Sequence, residues 1–258
     1  MLRFWKESFP VMPEAAPAAD NDFGPIADVY DQLVAWAPYG QWVRALVGRL
    51  ERHGLRKGAR VLDAACGTGL STIPWAEEGF RVVGADRSEL MLERARRKAE
   101  IRRLAIQFVR QDLLHLNLPT SFDAAVCMHS GLDYILELDE LAQAFRSLRA
   151  QIKGGGLLAF DKCLDESGFY RDGYTDSRRI PAGVVTFEYL WHRDRKLFEQ
   201  RCTVLRDGAG ARTEIVHYMR AVKAEDLVAM VREAGFEMLE APRQFAVSDP
   251  GMGIFRAV

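Results

Sequence analysis

The chain has 258 residues, 48% of them hydrophobic, and its 35 Lys+Arg against 36 Asp+Glu leave a formal net charge of −1. That composition fills a globular core and excludes a global electrostatic pull toward nucleic acid or an anionic membrane. The apolar runs fall short of the ~20 residues a membrane helix needs, and Met1 to Pro10 lacks a signal-peptide core, so a cytoplasmic protein without membrane or nucleic-acid partners is expected.

Residues 1–25 carry Pro10, Pro13, Pro17 and Pro25 among small and polar residues and read as a tail or linker. A single domain is expected over 26–258. Ile26, Val29, Tyr30, Leu33 and Val34, then Trp42, Val43, Leu46, Val47 and Leu50, recur at helical spacing and predict two helices. Arg60–Ala64 reads as strand one, followed by glycines and a helix from Leu70 to Glu78 stopped by Gly79. The pattern repeats: strand two at Arg81–Ala85, a helix over Leu90–Glu100 with Ser88 as its N-cap, strand three at Ala105–Arg110 and strand four at Phe122–Met128. A helix carrying Leu138, Leu141, Phe145, Leu148 and Ile152 is expected to stop at Gly154-Gly155-Gly156, before strand five at Leu157–Asp161.

Short apolar strands alternating with amphipathic helices predict a doubly wound α/β fold with a mostly parallel, Rossmann-like sheet. Beyond it, a polar loop (Asp165–Arg179) and strand-like runs at Val184–His192, Leu197–Arg206 and Thr213–Val222 predict an antiparallel β insertion, 165–222, over the sheet edge as a lid. A helix over Glu225–Ala234 and terminal strands near Phe236–Leu239 and Gly253–Ala257 complete a seven-stranded sheet.

Cys66, Cys127, Cys163 and Cys202 have no CxxC spacing, in keeping with a reducing compartment. The five histidines form no metal-ligand pattern, so no metal is expected. The basic clusters are interleaved with acids and read as solvated faces. The strongest signal is Val61-Leu62-Asp63-Ala64-Ala65-Cys66-Gly67-Thr68-Gly69 with Asp86 closing the next strand. Open α/β sheets bind ligands at the carboxyl ends of their strands, where glycine admits close approach and a carboxylate clamps a ribose. A nicotinamide dinucleotide is disfavoured because Thr72 replaces the third glycine of G-x-G-x-x-G and Asp63 precedes the turn inside the strand.

This stretch, with Gly84-Ala85-Asp86-x-Ser88-x-x-Met91-Leu92, resembles motif I and the acidic motif of class I S-adenosylmethionine-dependent methyltransferases. Gln111-Asp112-Leu113, Phe122-Asp123 and Glu233-Ala234-Gly235-Phe236 fit the same order, and Tyr30-Asp31-x-Leu33 with Trp36-x-x-Tyr39-x-x-Trp42 resembles the amino-sugar N-methyltransferase and glycine-methyltransferase-like group. The resemblance implies S-adenosylmethionine as cofactor and S-adenosylhomocysteine as product. It places Ala65, Cys66, Gly67 and Gly69 around the methionine part and Asp63 near its ammonium, with a buried loop-stabilising role as the other reading of Asp63. Asp86 would accept the ribose hydroxyls, Asp112 and the Leu113 N–H would meet the adenine, and Arg87 and Met91 would cover its faces. Met128 and Tyr30 belong to the cofactor side, and Tyr39 to the substrate side; core packing is the other reading of both tyrosines.

The loop after strand four, His129 to Tyr134, would line the acceptor pocket. His129 is a candidate base or a packing histidine; Tyr134 is the second catalytic candidate. Asp133 is a substrate contact or a helix N-cap, and Tyr170 and Arg171 of the later loop are substrate-contact candidates, with a solvated loop as the other reading. The aromatic face of Phe187, Tyr189 and Trp191 reads as packing before substrate platform, and His192 and His217 as a pair across strands. The expected activity is methyl transfer to oxygen or nitrogen of a small molecule, such as a sugar or secondary metabolite, by a monomer or homodimer. The alternatives are a cofactor-retaining protein that does not methylate and, third, an NAD-dependent oxidoreductase.

Overall fold

The computed structural model describes residues 21–164, 173–208, 210–243 and 246–258. The first helical segments are α1 (Tyr30–Leu33) and α2 (Tyr39–Arg52). Then come β1 (Arg60–Ala64), α3 (Thr72–Glu77), β2 (Arg81–Asp86), α4 (Glu89–Ile101), β3 (Gln107–Arg110), β4 (Phe122–Cys127), α5 (Leu138–Gln151) and β5 (Ile152–Phe160). Four strands follow, β6 (Tyr174–Ile180), β7 (Gly183–His192), β8 (Leu197–Arg206) and β9 (Arg212–Arg220), and the chain closes with α6 (Ala224–Glu233), β10 (Phe236–Glu240) and β11 (Gly253–Ala257).

The central sheet has seven strands in the order β10-β11-β5-β4-β1-β2-β3, with β11 antiparallel to both neighbours. Strand β1 pairs in parallel with β2 on one side and β4 on the other, so the winding reverses there and opens a crevice at its carboxyl end. Its central strands are apolar on both faces because both are covered. Leu46, Val47 and Leu50 of α2 pack with Trp75 on one face, and Phe145 and Leu148 of α5 with Leu227 of α6 on the other.

Four expectations need correction. The predicted first helix is only a 3-10 turn at Gly24–Ile26 followed by the single turn α1, neither with a side-chain N-cap; Ile26, Val29 and Leu33 instead bury against β6–β9. Helix α5 ends at Gln151, where Ile152 takes extended angles and pairs with Phe122, so the three glycines lie within β5. At Gly156 a Cβ would meet the Asp123 carbonyl oxygen at 2.9 Å.

The described part of the predicted 165–179 loop is strand β6, in register with β7 from Tyr174↔Tyr189 to Ile180↔Gly183. Its charged residues suit an edge strand. The predicted tail boundary at residue 25 falls inside packed structure. Asn21 Nδ2 donates to the Tyr134 and Tyr218 carbonyls at 3.0 and 3.1 Å, and its Oδ1 accepts from Tyr218 N at 2.9 Å.

The β6–β9 sheet is antiparallel and consecutive in order. Rather than lying along the sheet edge, it rests on residues 23–34 and stands over the chain segments that leave β4 and β5. Val222 N donates to Cys163 O at 3.1 Å, which ties the end of β9 to the segment after β5.

Candidate active site

The turn after β1 is set by backbone geometry. Ala65, Gly67 and Gly69 have φ of 56°, 52° and 79°, a region that favours glycine. The loop after β4 comes close to this turn: a Cβ on Gly131 would lie 2.8 Å from the Ala65 Cβ and 2.7 Å from Cys127 Sγ, so only glycine allows that approach. Asp86 at the end of β2 reaches across the turn, accepting from Gly67 N at 2.7 Å and Ser88 N at 2.9 Å. A carboxylate has about four acceptor sites, so Asp86 retains acceptor capacity beyond its backbone donors. Burial raises its pKa, opposed by those backbone donors.

Asp63 is 0% exposed and stands behind this turn. Its Oδ2 accepts from Ser71 Oγ and Thr72 Oγ1, both at 2.6 Å, while Oδ1 has no partner among the described residues. Burial lifts its pKa to about 6. Thr72, which breaks the dinucleotide glycine pattern, is therefore one of two hydroxyls that tether the turn to β1. A second clamp lies in front, where Asp31 accepts from Thr68 Oγ1 and Lys98 Nζ, each at 2.5 Å, binding α1 to the turn and α4.

Two cavities meet above the sheet. The smaller, about 180 Å³, is lined by Ala65, Cys66, Gly67, Asp86, Arg87, Met91, Asp112, Leu113 and Met128, together with Tyr39. Gly69 and Asp63 are not among its lining residues. Asp112 spends Oδ1 on Leu114 N at 2.8 Å. The larger cavity, about 490 Å³, lies beneath β6–β9 and is walled by aromatic rings that include Trp36, Tyr174, Phe187, Tyr189 and Phe198. Phe23, Tyr30, His129 and Tyr134 line both and form the passage between them. Tyr39 thus faces the smaller cavity, whereas Asp133 lines the larger one; Tyr170 and Arg171 lie outside the described residues.

His129 does not have the near-neutral basicity expected of it. Burial among Trp36, Tyr39 and Trp42 lowers its pKa to about 4, and its Nδ1 shares a short hydrogen bond with Tyr39 Oη. Asp133 is no helix cap. At 1% exposure it accepts from Lys162 Nζ at 2.9 Å and Cys163 N at 2.8 Å, and Lys162 also donates to Arg220 O.

His192 and His217 do not pair. His192 bonds Glu199 Oε2 at 2.9 Å, while His217 stacks on Phe23 with centroids 3.8 Å apart. Phe187 packs in a core cluster with Ile26, Val29 and Leu33, Tyr189 lies against it, and both also line the cavity. Sequence reasoning missed Phe23, placed in the presumed tail, and Asp161, read only as the end of strand five. Asp161 has one signal in hindsight: a carboxylate closing an apolar strand next to the switch point.

An open α/β sheet with a glycine turn and a ribose-competent carboxylate at its switch point defines a nucleotide-type cofactor site. Residues 61–156 match the family described as Methyltransferase domain. A protein classed as a methyltransferase in Geobacillus sp. (strain WCH70) is 30% identical over 228 residues, 86% of this chain and 91% of that protein. Among solved structures, an S-adenosylmethionine-dependent methyltransferase from Clostridium acetobutylicum ATCC 824 superposes with a TM-score of 0.78 at 22% identity, over 91% of this chain and 98% of that one. The sugar N-methyltransferase KedS8 from Streptoalloteichus sp superposes with a TM-score of 0.72 at 23% identity, over 99% of each chain. The chain belongs to the class I S-adenosylmethionine-dependent methyltransferases.

Proposed function

We propose that this methyltransferase moves the S-adenosylmethionine methyl group to a nitrogen or oxygen of a small-molecule acceptor held in the larger cavity. The observation that carries this reading is the junction itself: the cavity at the glycine turn and the aromatic cavity beneath β6–β9 share Tyr30, His129 and Tyr134. Methyl transfer from a sulfonium needs in-line placement and exclusion of water more than covalent help. The resemblance to a sugar N-methyltransferase favours a sugar or other secondary metabolite.

In this reading Asp86 accepts the ribose hydroxyls with its remaining lone pairs. Asp112 and Leu113 N meet the adenine, Arg87 and Met91 flank it, and the Ala65 to Gly69 turn holds the methionine part. Gly67 faces that site at a φ of 52°, with Met91 Cε only 3.5 Å from where a Cβ would stand. Asp63 acts through Ser71 and Thr72, keeping the turn in place. His129, neutral at physiological pH, orients Tyr39 at the passage, and Tyr134 forms its far wall.

Calorimetry with S-adenosylmethionine, S-adenosylhomocysteine and NAD in parallel tests the assignment. Binding of the first two, lost in Gly67→Val, is expected; a response to NAD alone would overturn it.

A further inference from the structure

Within the larger cavity three side chains, Asp161, Arg178 and His217, keep a buried polar atom without a hydrogen-bond partner among the described residues, and Asp161 is the acidic one. Asp161, directly after β5, is 4% exposed. Its Oδ2 accepts from Ser130 N at 2.8 Å, a bond made possible by the left-handed conformations of His129 and Ser130, with φ of 62° and 69°. Its Oδ1 is buried with no hydrogen-bond partner among the described residues, and the side chain lines the cavity. A buried acceptor left unpaired is costly, and no described protein group meets Oδ1 in hydrogen-bond geometry.

The charged and titratable neighbours explain why. Lys162, the next residue, is committed to Asp133 and the Arg220 carbonyl. Asp133, on the turn after β4, adds negative charge. His129 from the same loop stays neutral, as do Tyr39 from α2 and Tyr134, whose pKa values burial raises well above the ordinary tyrosine value. Arg178 of β6 stacks on Phe187 at 5.1 Å and donates to Leu33 O at 2.5 Å. Asp161 thus keeps its proton to about 7, pushed up by burial and by Asp133.

We infer that the acceptor is a primary or secondary amine on an apolar or aromatic scaffold, and that Asp161 Oδ1 receives and then removes its ammonium proton. This rests on the methyl-transfer reading above. An ammonium supplies the donor that Oδ1 lacks, and aromatic walls favour a cation.

The chemistry selects against alcohols. An alkylammonium of pKa about 10 loses a proton to such a carboxylate far more readily than a hydroxyl, as weak an acid as water at about 15.7. The N–H proton passes to Asp161, and the freed nitrogen lone pair forms the new N–C bond. The S–CH3 bond breaks with its electron pair going to sulfur, leaving S-adenosylhomocysteine and a protonated N-methyl product. The proton on Asp161 departs to solvent when the product leaves.

The test uses 1-naphthylmethylamine and 1-naphthylmethanol, matched in shape, titrated by calorimetry into the full chain with and without S-adenosylhomocysteine. In the wild type the amine should bind at least ~10-fold more tightly, as a charge-assisted bond gives, and more tightly at pH 8 than at pH 6. In Asp161→Asn the preference and its pH dependence should vanish, with S-adenosylhomocysteine affinity unchanged. Equal affinities, binding of neither probe, or a preference that survives Asp161→Asn would overturn the inference. The wild-type comparison and its pH dependence stand even if the variant fails to fold. Failure of S-adenosylhomocysteine itself to bind would instead sink the methyl-transfer reading.

Discussion

The two cavities sit side by side but are walled differently. Around the turn after β1 the cavity is shaped by a backbone turn, with positive φ at Ala65 and Gly67 and a carboxylate holding backbone N–H groups, beside side chains such as Met91 and Met128. Beneath β6–β9 the wall is aromatic side chains, broken by the buried Asp133–Lys162 pair, by Asp161 and by His217. A backbone turn suits a ligand common to a whole family, since it depends on loop shape more than on side-chain identity. A side-chain wall can be rebuilt residue by residue, as a variable acceptor demands.

This contrast can be broken from either side. The largest effect should come from Asp133→Ala, which leaves Lys162 charged and unpaired at 0% side-chain exposure. Loss of one partner of a buried pair costs ~3–5 kcal/mol, visible as a lower denaturation midpoint. Adding Lys162→Met should recover most of it, and no recovery would show that Asp133 supports the fold through Cys163 N instead.

Next, Asp86→Ala should weaken S-adenosylmethionine by ~1.5–3 kcal/mol, the loss of hydrogen bonds to a charged group. Probe binding in the aromatic cavity should change little. An unaltered cofactor affinity would remove Asp86 from the ribose role.

The smallest effects separate two side chains of the larger cavity by pH. His217, 1% exposed with neither ring nitrogen bonded among the described residues, has its pKa lowered to about 4 by burial. The unfolded chain takes up that proton near 6.5, so stability is full above 6.5 and falls as pH drops toward 4. His217→Phe should flatten part of that acid slope, whatever the larger ring changes at pH 7.5, where overpacking costs ~1–3 kcal/mol.

Asp161 carries the opposite sign. Its folded pKa is raised to about 7, so the stability linked to it is full below the ordinary carboxylate value and lost as pH rises to about 7. Asp161→Asn should therefore raise the melting temperature at pH 8 relative to wild type and not at pH 4. Thermal melts across pH check both, and parallel curves for variant and wild type would refute either.

The sequence alone determined the central sheet, because parallel strands buried on both faces must be continuous apolar runs and their crossovers must be amphipathic helices. It also determined the glycine turn and Asp86, whose spacing is local and whose backbone requirements only certain residues meet. Asp63 was legible as special, but its hydroxyl partners Ser71 and Thr72 were not, since a turn of chain had to bring them behind the strand.

What only the tertiary structure decided is the acceptor side. Phe23, His129, Asp161, Phe187 and His217 come from segments far apart in the chain and meet only once β6–β9 folds back over the strand ends. Burial then reverses the expected chemistry there: it strips His129 of its basicity and holds the Asp161 proton near neutrality. Residue type states what a side chain does in water. Desolvation and neighbouring charge, which exist only in the folded chain, set what it does inside the cavity.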